Sequence, residues 1–224
     1  MIDLSKNDLL FDFNRQLISS PTTKRTEMLI SSGAEVNTQN GYGHSPLILA
    51  RSEAQTKCLI DAGADVNARN MNGFTALMYS KTAGQTRCLI DAGDCVSTNA
   101  KTDNGFTALM NSRCAIQMMM LIDAGADINA KENNGNKAIH YSTRDLKTME
   151  VLILSGADVE AIGAEGRRVI HYACRYRNIN VVRLLIEAGV DTTVMDYIGK
   201  SAADYLGLVR PDDAIKVLLE ARIR

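Results

Sequence analysis

Apolar residues recur along the chain in short clusters separated by polar segments, and the clusters repeat. A first string, Leu-Ile-x-x-Gly, stands at 29–33, 59–63, 89–93, 121–125, 152–156 and 185–189. A second follows ten to twelve residues after each glycine: GHSPLILA (43–50), GFTALMYS (73–80), GFTALMNS (105–112), GNKAIHYS (135–142), GRRVIHYA (166–173) and GKSAADYL (199–206). Successive copies are offset by 30 to 33 residues. A period of this length predicts a stack of small supersecondary units. Each unit reads as helix, turn, helix and loop. Ser45-Pro46 sets a hydroxyl at an N-cap and proline at the first helical position, and Thr75, Thr107 and Ser201 are placed to cap in the same way. Lys137 and Arg168 replace the hydroxyl. Each second helix ends at Gly33, Gly63, Gly93, Gly125, Gly156 or Gly189, where glycine takes a left-handed turn freely. Asn- and Gly-rich segments such as VNARNMNG (66–73) are turn material.

Two short helices cannot bury their apolar side alone, so Leu59-Ile60, Leu89-Ile90, Leu121-Ile122 and their equivalents must pack on the units before and after. The expectation is one domain over 1–224. Residues 1–33, with Leu9, Leu10, Phe13, Leu17, Met28 and Leu29, form an N-terminal cap. Residues 34–199 hold the repeat units, and 200–224, ending IKVLLEARIR, form a C-terminal cap.

These strings resemble the ankyrin repeat, whose pattern is roughly D-x-x-G-x-T-P-L-H-x-A-A, a turn, then V-x-x-L-L-x-x-G-A-D-x-N. The resemblance implies an all-α ankyrin-repeat solenoid with β-hairpin finger loops, about seven helix pairs long. It also implies a face made by fingers and first helices that grips a partner protein. The family usually has 23 residues from finger glycine to terminal glycine. Here only Gly166–Gly189 keeps that spacing. Gly43–Gly63, Gly73–Gly93 and Gly105–Gly125 have 20, and Gly135–Gly156 has 21. The early units should therefore have a shorter first helix or a tighter turn, with Thr56, Thr86, Met118 and Met149 where the family has valine.

The resemblance gives His140 and His171 a local structural role in holding the hairpin. His44, one residue past a finger glycine, should be exposed. Cys58 and Cys88 precede Leu-Ile and read as small core residues, and two of Met118, Met119 and Met120 should face the core. The residue after each finger glycine (His44, Phe74, Phe106, Asn136, Arg167 and Lys200) stands where the family contacts partners. Phe74 and Phe106 are the leading hot-spot candidates because surface aromatics often anchor interfaces. Tyr42, Met71 and Tyr197 are further candidates. A cation closes each first helix: Arg51, Lys81, Arg113, Arg144 and Arg175. Tyr79, Tyr141, Tyr172 and Tyr205 lie near in register. The cations would suit an acidic partner surface, or complement the helix dipole.

Composition adds limits. The chain has 224 residues, 46% hydrophobic and 23% charged, with net charge −1, which argues against a non-specific polyanion binder. The five cysteines show no CxxC or CxxH pair, so neither a zinc site nor a disulfide framework is expected. The N-terminus lacks a signal-peptide apolar run, and no segment approaches the ~20 residues of a membrane span. A cytoplasmic location follows as the expectation. No nucleotide loop, GxSxG, HExxH or framed carboxylate pair is present, so no enzyme activity and no cofactor are expected. The expected function is a protein–protein interaction module. The alternatives are a nucleic-acid or polyanion binder acting through the cations, or a microbial, viral or phage effector or immunity-type inhibitor.

Overall fold

A computed structural model describes residues 6–93 and 96–206. The C-terminal cap sequence IKVLLEARIR and Cys95 lie outside the described residues. Among the described residues ten α-helices follow in order: α1 (Lys6–Ile18), α2 (Thr23–Ser31), α3 (Glu53–Asp61), α4 (Ala76–Tyr79), α5 (Ala83–Ile90), α6 (Ala115–Asp123), α7 (Ala138–Tyr141), α8 (Leu146–Leu154), α9 (Val169–Arg175) and α10 (Ile179–Glu187). Single-turn 3-10 helices stand at Leu109–Asn111, Ala164–Gly166 and Ala203–Tyr205. No β-strand occurs among the described residues, and the fingers keep only two isolated antiparallel bridges, Ile162 to Arg168 and Met195 to Ser201.

The chain packs as two compact units. The first takes the described residues of 1–103 with 123–126, and the second those of 104–122 and 127–224. In the first unit α1 lies on α2, α2 on α3, and α3 and α4 on α5. Leu29, Leu59 and Leu89 on the successive second helices are all at most 2% exposed. Burying each contributes roughly 1.5–3 kcal/mol. In the second unit α7 packs on α8 and α9, and α10 on α8 and α9. There Leu121, Leu152 and Leu185 are fully buried. The isoleucine after each leucine is only half-buried, because adjacent helical residues point about 100° apart.

The Leu-Ile-x-x-Gly-Ala string is a helix terminator. Gly63 N donates to Ile60 O at 2.9 Å and Ala64 N to Leu59 O at 3.0 Å, with Gly63 at φ +87°. This pair of bonds satisfies two carbonyls that the helix end would leave open, and the same pair recurs after α2, α8 and α10.

The shortening falls on the first helices. Ser45–Ala50 forms only turns, α4 and α7 span one turn each, and Leu109–Asn111 is 3-10. The full-length unit keeps a seven-residue α9. Buried glutamines cover the deficit. Gln55 Oε1 accepts from Arg51 N at 2.9 Å, while its Nε2 donates to Ser20 O at 3.1 Å and Thr26 Oγ1 at 3.0 Å. Gln85 repeats this on Lys81 N, Ala50 O and Thr56 Oγ1. Gln117 accepts from Arg113 N at 2.9 Å. Gln55 and Gln85 thus close their own turn and tie it to the preceding repeat.

Several sequence expectations are corrected. Thr75 makes no side-chain cap bond, and the Thr75 and Thr107 hydroxyls find no partner among the described residues. Ser201 spends its hydroxyl on Asp204. Cys58 and Cys88 are half-buried rather than core residues, and burial still pushes their thiols up. Among the described cysteines Cys174 is the buried one, its thiol pushed up to about 12 by desolvation. Leu9 on α1 and Met28 on α2 are exposed. Met118 is buried, Met119 exposed and Met120 half-buried.

Candidate protein-binding face

Three of the fingers are each built on one polar side chain. Asn40 Oδ1 accepts from Tyr42 N and His44 N, Asn70 Oδ1 from Asn72 N and Phe74 N, and Asp196 Oδ1 from Ile198 N and Lys200 N. These are Asx turns, the reason the segments are rich in Asn and Asp. Gly43, Gly73 and Gly199 complete them at φ +73° to +78°. Within each unit the fingers are stitched edge to edge. Met71 N donates to Tyr42 O at 3.1 Å and Asp103 N to Asn72 O at 3.2 Å in the first unit. In the second, Asn133 N donates to Asn104 O at 2.9 Å and Tyr197 N to Glu165 O at 3.1 Å.

A second ladder runs through the Asn of the V-N pair. Asn37 Oδ1 accepts from Asp65 N and its Nδ2 donates to Gly63 O, and Asn129 does the same with Asp158 N and Gly156 O. Where glutamate replaces asparagine, Glu160 accepts from Asp191 N and pairs with Arg168.

The histidines join first helix to finger. His140 Nδ1 accepts from Lys137 N at 2.9 Å and Nε2 donates to Ala161 O at 3.1 Å, and His171 bonds Arg168 N and Val194 O in the same way. Both bonds need the neutral tautomer protonated on Nε2. Burial lowers the His140 pKa. The missing cap hydroxyls are replaced by charge. Buried Lys137 reaches Asp158 at 2.8 Å, and this hydrogen bond, opposed by burial, keeps the Asp158 carboxyl below its ordinary value.

Of the residues after the finger glycines, Lys200 is exposed and the other five are drawn into the fold. His44 is half-buried. Asn70 Nδ2 donates to its Nε2 at 3.0 Å, and the Tyr79 hydroxyl lies 3.4 Å from the same nitrogen. Its expected exposure is thus corrected by a polar partner on the next finger. Phe74 is half-buried edge-on to Tyr79, and Phe106 edge-on to Tyr141, at centroid distances of 5.4 and 5.3 Å. Asn136 Oδ1 accepts from Ala164 N and the Tyr172 hydroxyl, and its Nδ2 donates to Glu132. Arg167 pairs with Glu165, lies 3.6 Å from Asp196 and bonds the Tyr205 hydroxyl. Burial works to raise the Asp196 carboxyl, but hydrogen bonds from Tyr205 and from the amides of Lys200 and Ile198 hold it below its ordinary value.

What remains at the tips is apolar and exposed. Tyr42 is 73% exposed and Met71 70%, joined by the finger bond. In the second unit Ile162, Met195, Tyr197 and Ile198 are exposed. Of these the sequence reading singled out only Tyr197. Ile162 and Met195 sit four residues before their finger glycines and Ile198 directly before its own, and an apolar residue inside a polar turn was the available signal.

Arg51, Lys81, Arg113, Arg144 and Arg175 are all exposed. Only Arg175 lies in the last turn of a helix. Ser80 and Ser112 are already extended, at ψ 129° and 133°, so Lys81 and Arg113 stand beyond their helices. A one-turn helix also has almost no macrodipole. Helix-end electrostatics therefore accounts for Arg175 at most, and not for Arg51, Lys81, Arg113 and Arg144. Among the described residues no group of His, Cys, Asp and Glu could hold a metal, and no helix is long and apolar enough to cross a membrane.

Comparisons with known proteins agree with this architecture. The family profile described as "Ankyrin repeats (3 copies)" matches residues 111–196 and 144–223. No curated protein matches. The chain is similar in structure to the human ASB11 ankyrin repeat domain, with TM-score 0.80 and 20% identity over 93% of this chain and 96% of that one. It is also similar to the ankyrin repeat domain of Bcl-3, described as a unique member of the IkappaB protein family, with TM-score 0.69 and 22% identity over 91% and 97%. At these identities the structural likeness establishes the fold, an ankyrin-repeat solenoid. With the profile covering half of its sequence, the chain belongs to the ankyrin-repeat family.

Proposed function

We propose that this chain is a non-catalytic module that binds a partner protein through its finger tips and first-helix face. Ankyrin-repeat domains are generally protein–protein interaction modules. The observation that carries the reading is the Tyr42–Met71 pair. Two large side chains, each at least 70% exposed, are held side by side by a finger-to-finger hydrogen bond and by turns closed on Asn40 and Asn70. Rigid presentation lowers the entropy cost of association, and an aromatic beside a methionine suits an adaptable apolar contact. In the first unit Phe74 supports this face through its ring against Tyr79, and in the second Phe106 rests in the same way on Tyr141. We read residues 1–224 as one ankyrin-repeat domain with its caps at 1–33 and 200–224.

The test is affinity capture from the native cell with quantitative mass spectrometry, comparing wild type with Tyr42→Ser/Met71→Ser. These side chains carry little of the fold, so the double variant should stay folded by circular dichroism and lose its partner by about tenfold or more, the scale of two interface anchors. A partner retained equally by both proteins refutes the finger-tip assignment.

A further inference from the structure

Among the described residues other than glycine, only Glu165 and Arg177 adopt left-handed φ, at +60° and +54°. Arg177 turns the chain between α9 and α10, its amide donating to Cys174 O at 2.9 Å. Glycine takes such a turn without the Cβ–carbonyl crowding that arginine meets. Backbone geometry therefore does not explain an arginine here.

Its neighbours do. The Arg144 guanidinium lies over the Tyr176 ring, 4.0 Å from the centroid. Asn178, the N-cap of α10, donates from Nδ2 to Arg144 O at 3.0 Å and ties the two inter-helix turns together. Arg144, Lys147, Arg175, Tyr176 and Arg177 are all exposed. None of these four cations forms an ion pair among the described residues, whereas Lys137, Arg167 and Arg168 of the same unit all do. The adjacent carboxylate, Asp145, already caps α8 by accepting from Lys147 N at 2.9 Å.

We propose that this corner docks a carboxylate-rich peptide segment of the partner protein, seated on Arg144, Tyr176 and Arg177. The proposal rests on reading the chain as a protein-binding module, but it uses the helix-turn edge rather than the finger tips. Guanidinium groups present paired donors that match a carboxylate fork, and one stacked on an aromatic ring is already positioned. Four cations at a single pair of turns neutralise only a few charges. The whole chain carries 26 acidic against 25 basic side chains, these four included, so a long polyanion would meet at least as much repulsion as attraction.

The probe is a fluorescein-labelled ten-residue polyglutamate, compared by anisotropy with a Gly-Ser decamer and a thymidine decanucleotide at about 50 mM salt, where surface charges are weakly screened. On the full chain, polyglutamate binds more tightly than either comparison probe. Arg144→Gln with Arg177→Gly weakens it by about tenfold or more, as expected for losing two charge-assisted contacts. Lys24→Gln with Arg87→Gln, which removes the same charge on α2 and α5, stays within about twofold, since those cations lie outside the corner. Arg177→Gly alone raises the thermal midpoint while weakening binding, a split that a purely structural arginine would not give. Three outcomes each overturn the proposal: undiminished binding by the double variant at Arg144 and Arg177, equal binding of the Gly-Ser peptide, or decanucleotide binding as tight as polyglutamate. All three leave the Tyr42–Met71 result untouched.

Discussion

Replacing Gln85 with alanine probes the link that holds the shortened repeats. Gln85 is 2% exposed and makes three bonds: from Lys81 N at 3.1 Å, to Ala50 O at 3.0 Å and to Thr56 Oγ1 at 3.4 Å. The long third bond contributes little, and Thr56 keeps its bond to Ser52 O. Truncation orphans the Ala50 carbonyl, which is buried, and the Lys81 amide, which is only partly so. An unsatisfied buried group costs about 1–3 kcal/mol, and alanine recovers a few tenths through helix propensity. The expected loss is about 3 kcal/mol, or roughly 6–12 °C in thermal midpoint for a chain of this size. Gln39→Ala is the control. Gln39 also bonds across repeats, to Arg69 O at 3.3 Å, but in solvent, and its loss should stay under about 0.5 kcal/mol. Urea unfolding followed by circular dichroism measures both, and amide exchange at Lys81 reports the local bond. A loss below about 1 kcal/mol for Gln85→Ala, or equal losses for the two variants, refutes the glutamine account.

Two further outcomes follow from the finger geometry. Burial keeps His140 neutral, so its contribution to stability is fully present above its ordinary pKa of about 6.5 and is lost as pH falls through the lowered folded value. Thermal midpoints at about pH 7.5 and 5.5 should drop more for wild type than for His140→Gln, and an unchanged slope would exclude His140 as the proton acceptor. Gly43 and Gly63 share positive φ, but a Cβ on Gly43 would stand 2.8 Å from Met71 N while Gly63 has nothing within 4 Å. Gly63→Ala should cost about 1 kcal/mol in backbone strain, and Gly43→Ala about 1–2 kcal/mol more with faster exchange at the Met71 amide. Equal costs would show that the finger seam carries no stability.

Much of the architecture is legible one residue at a time. The Leu-Ile-x-x-Gly-Ala string specifies a helix, its buried leucine and its terminator, because all three are settled within one turn of chain. The role of His140 and His171 reads from their register in the repeat. Gln55 and Gln85 were legible only as polar residues. Their meaning depends on a carbonyl and a hydroxyl 35 and 29 positions earlier, at Ser20 and Thr26 or Ala50 and Thr56.

The candidate face shows the same division more sharply. Phe74, Phe106, Asn136 and Arg167 share a register position, and that position was all the chain could supply for judging them. Packing decided that Tyr79, Tyr141, Tyr172 and Tyr205 would take them up and leave Tyr42 and Met71 at the tips. Left-handed backbone at Arg177 likewise became visible only in three dimensions. Local order, then, was written in the chain, since caps, turns and helix stops are short-range contests between a side chain and its own backbone. Exposure was decided by the fold, because it depends on which distant residue arrives to cover a side chain.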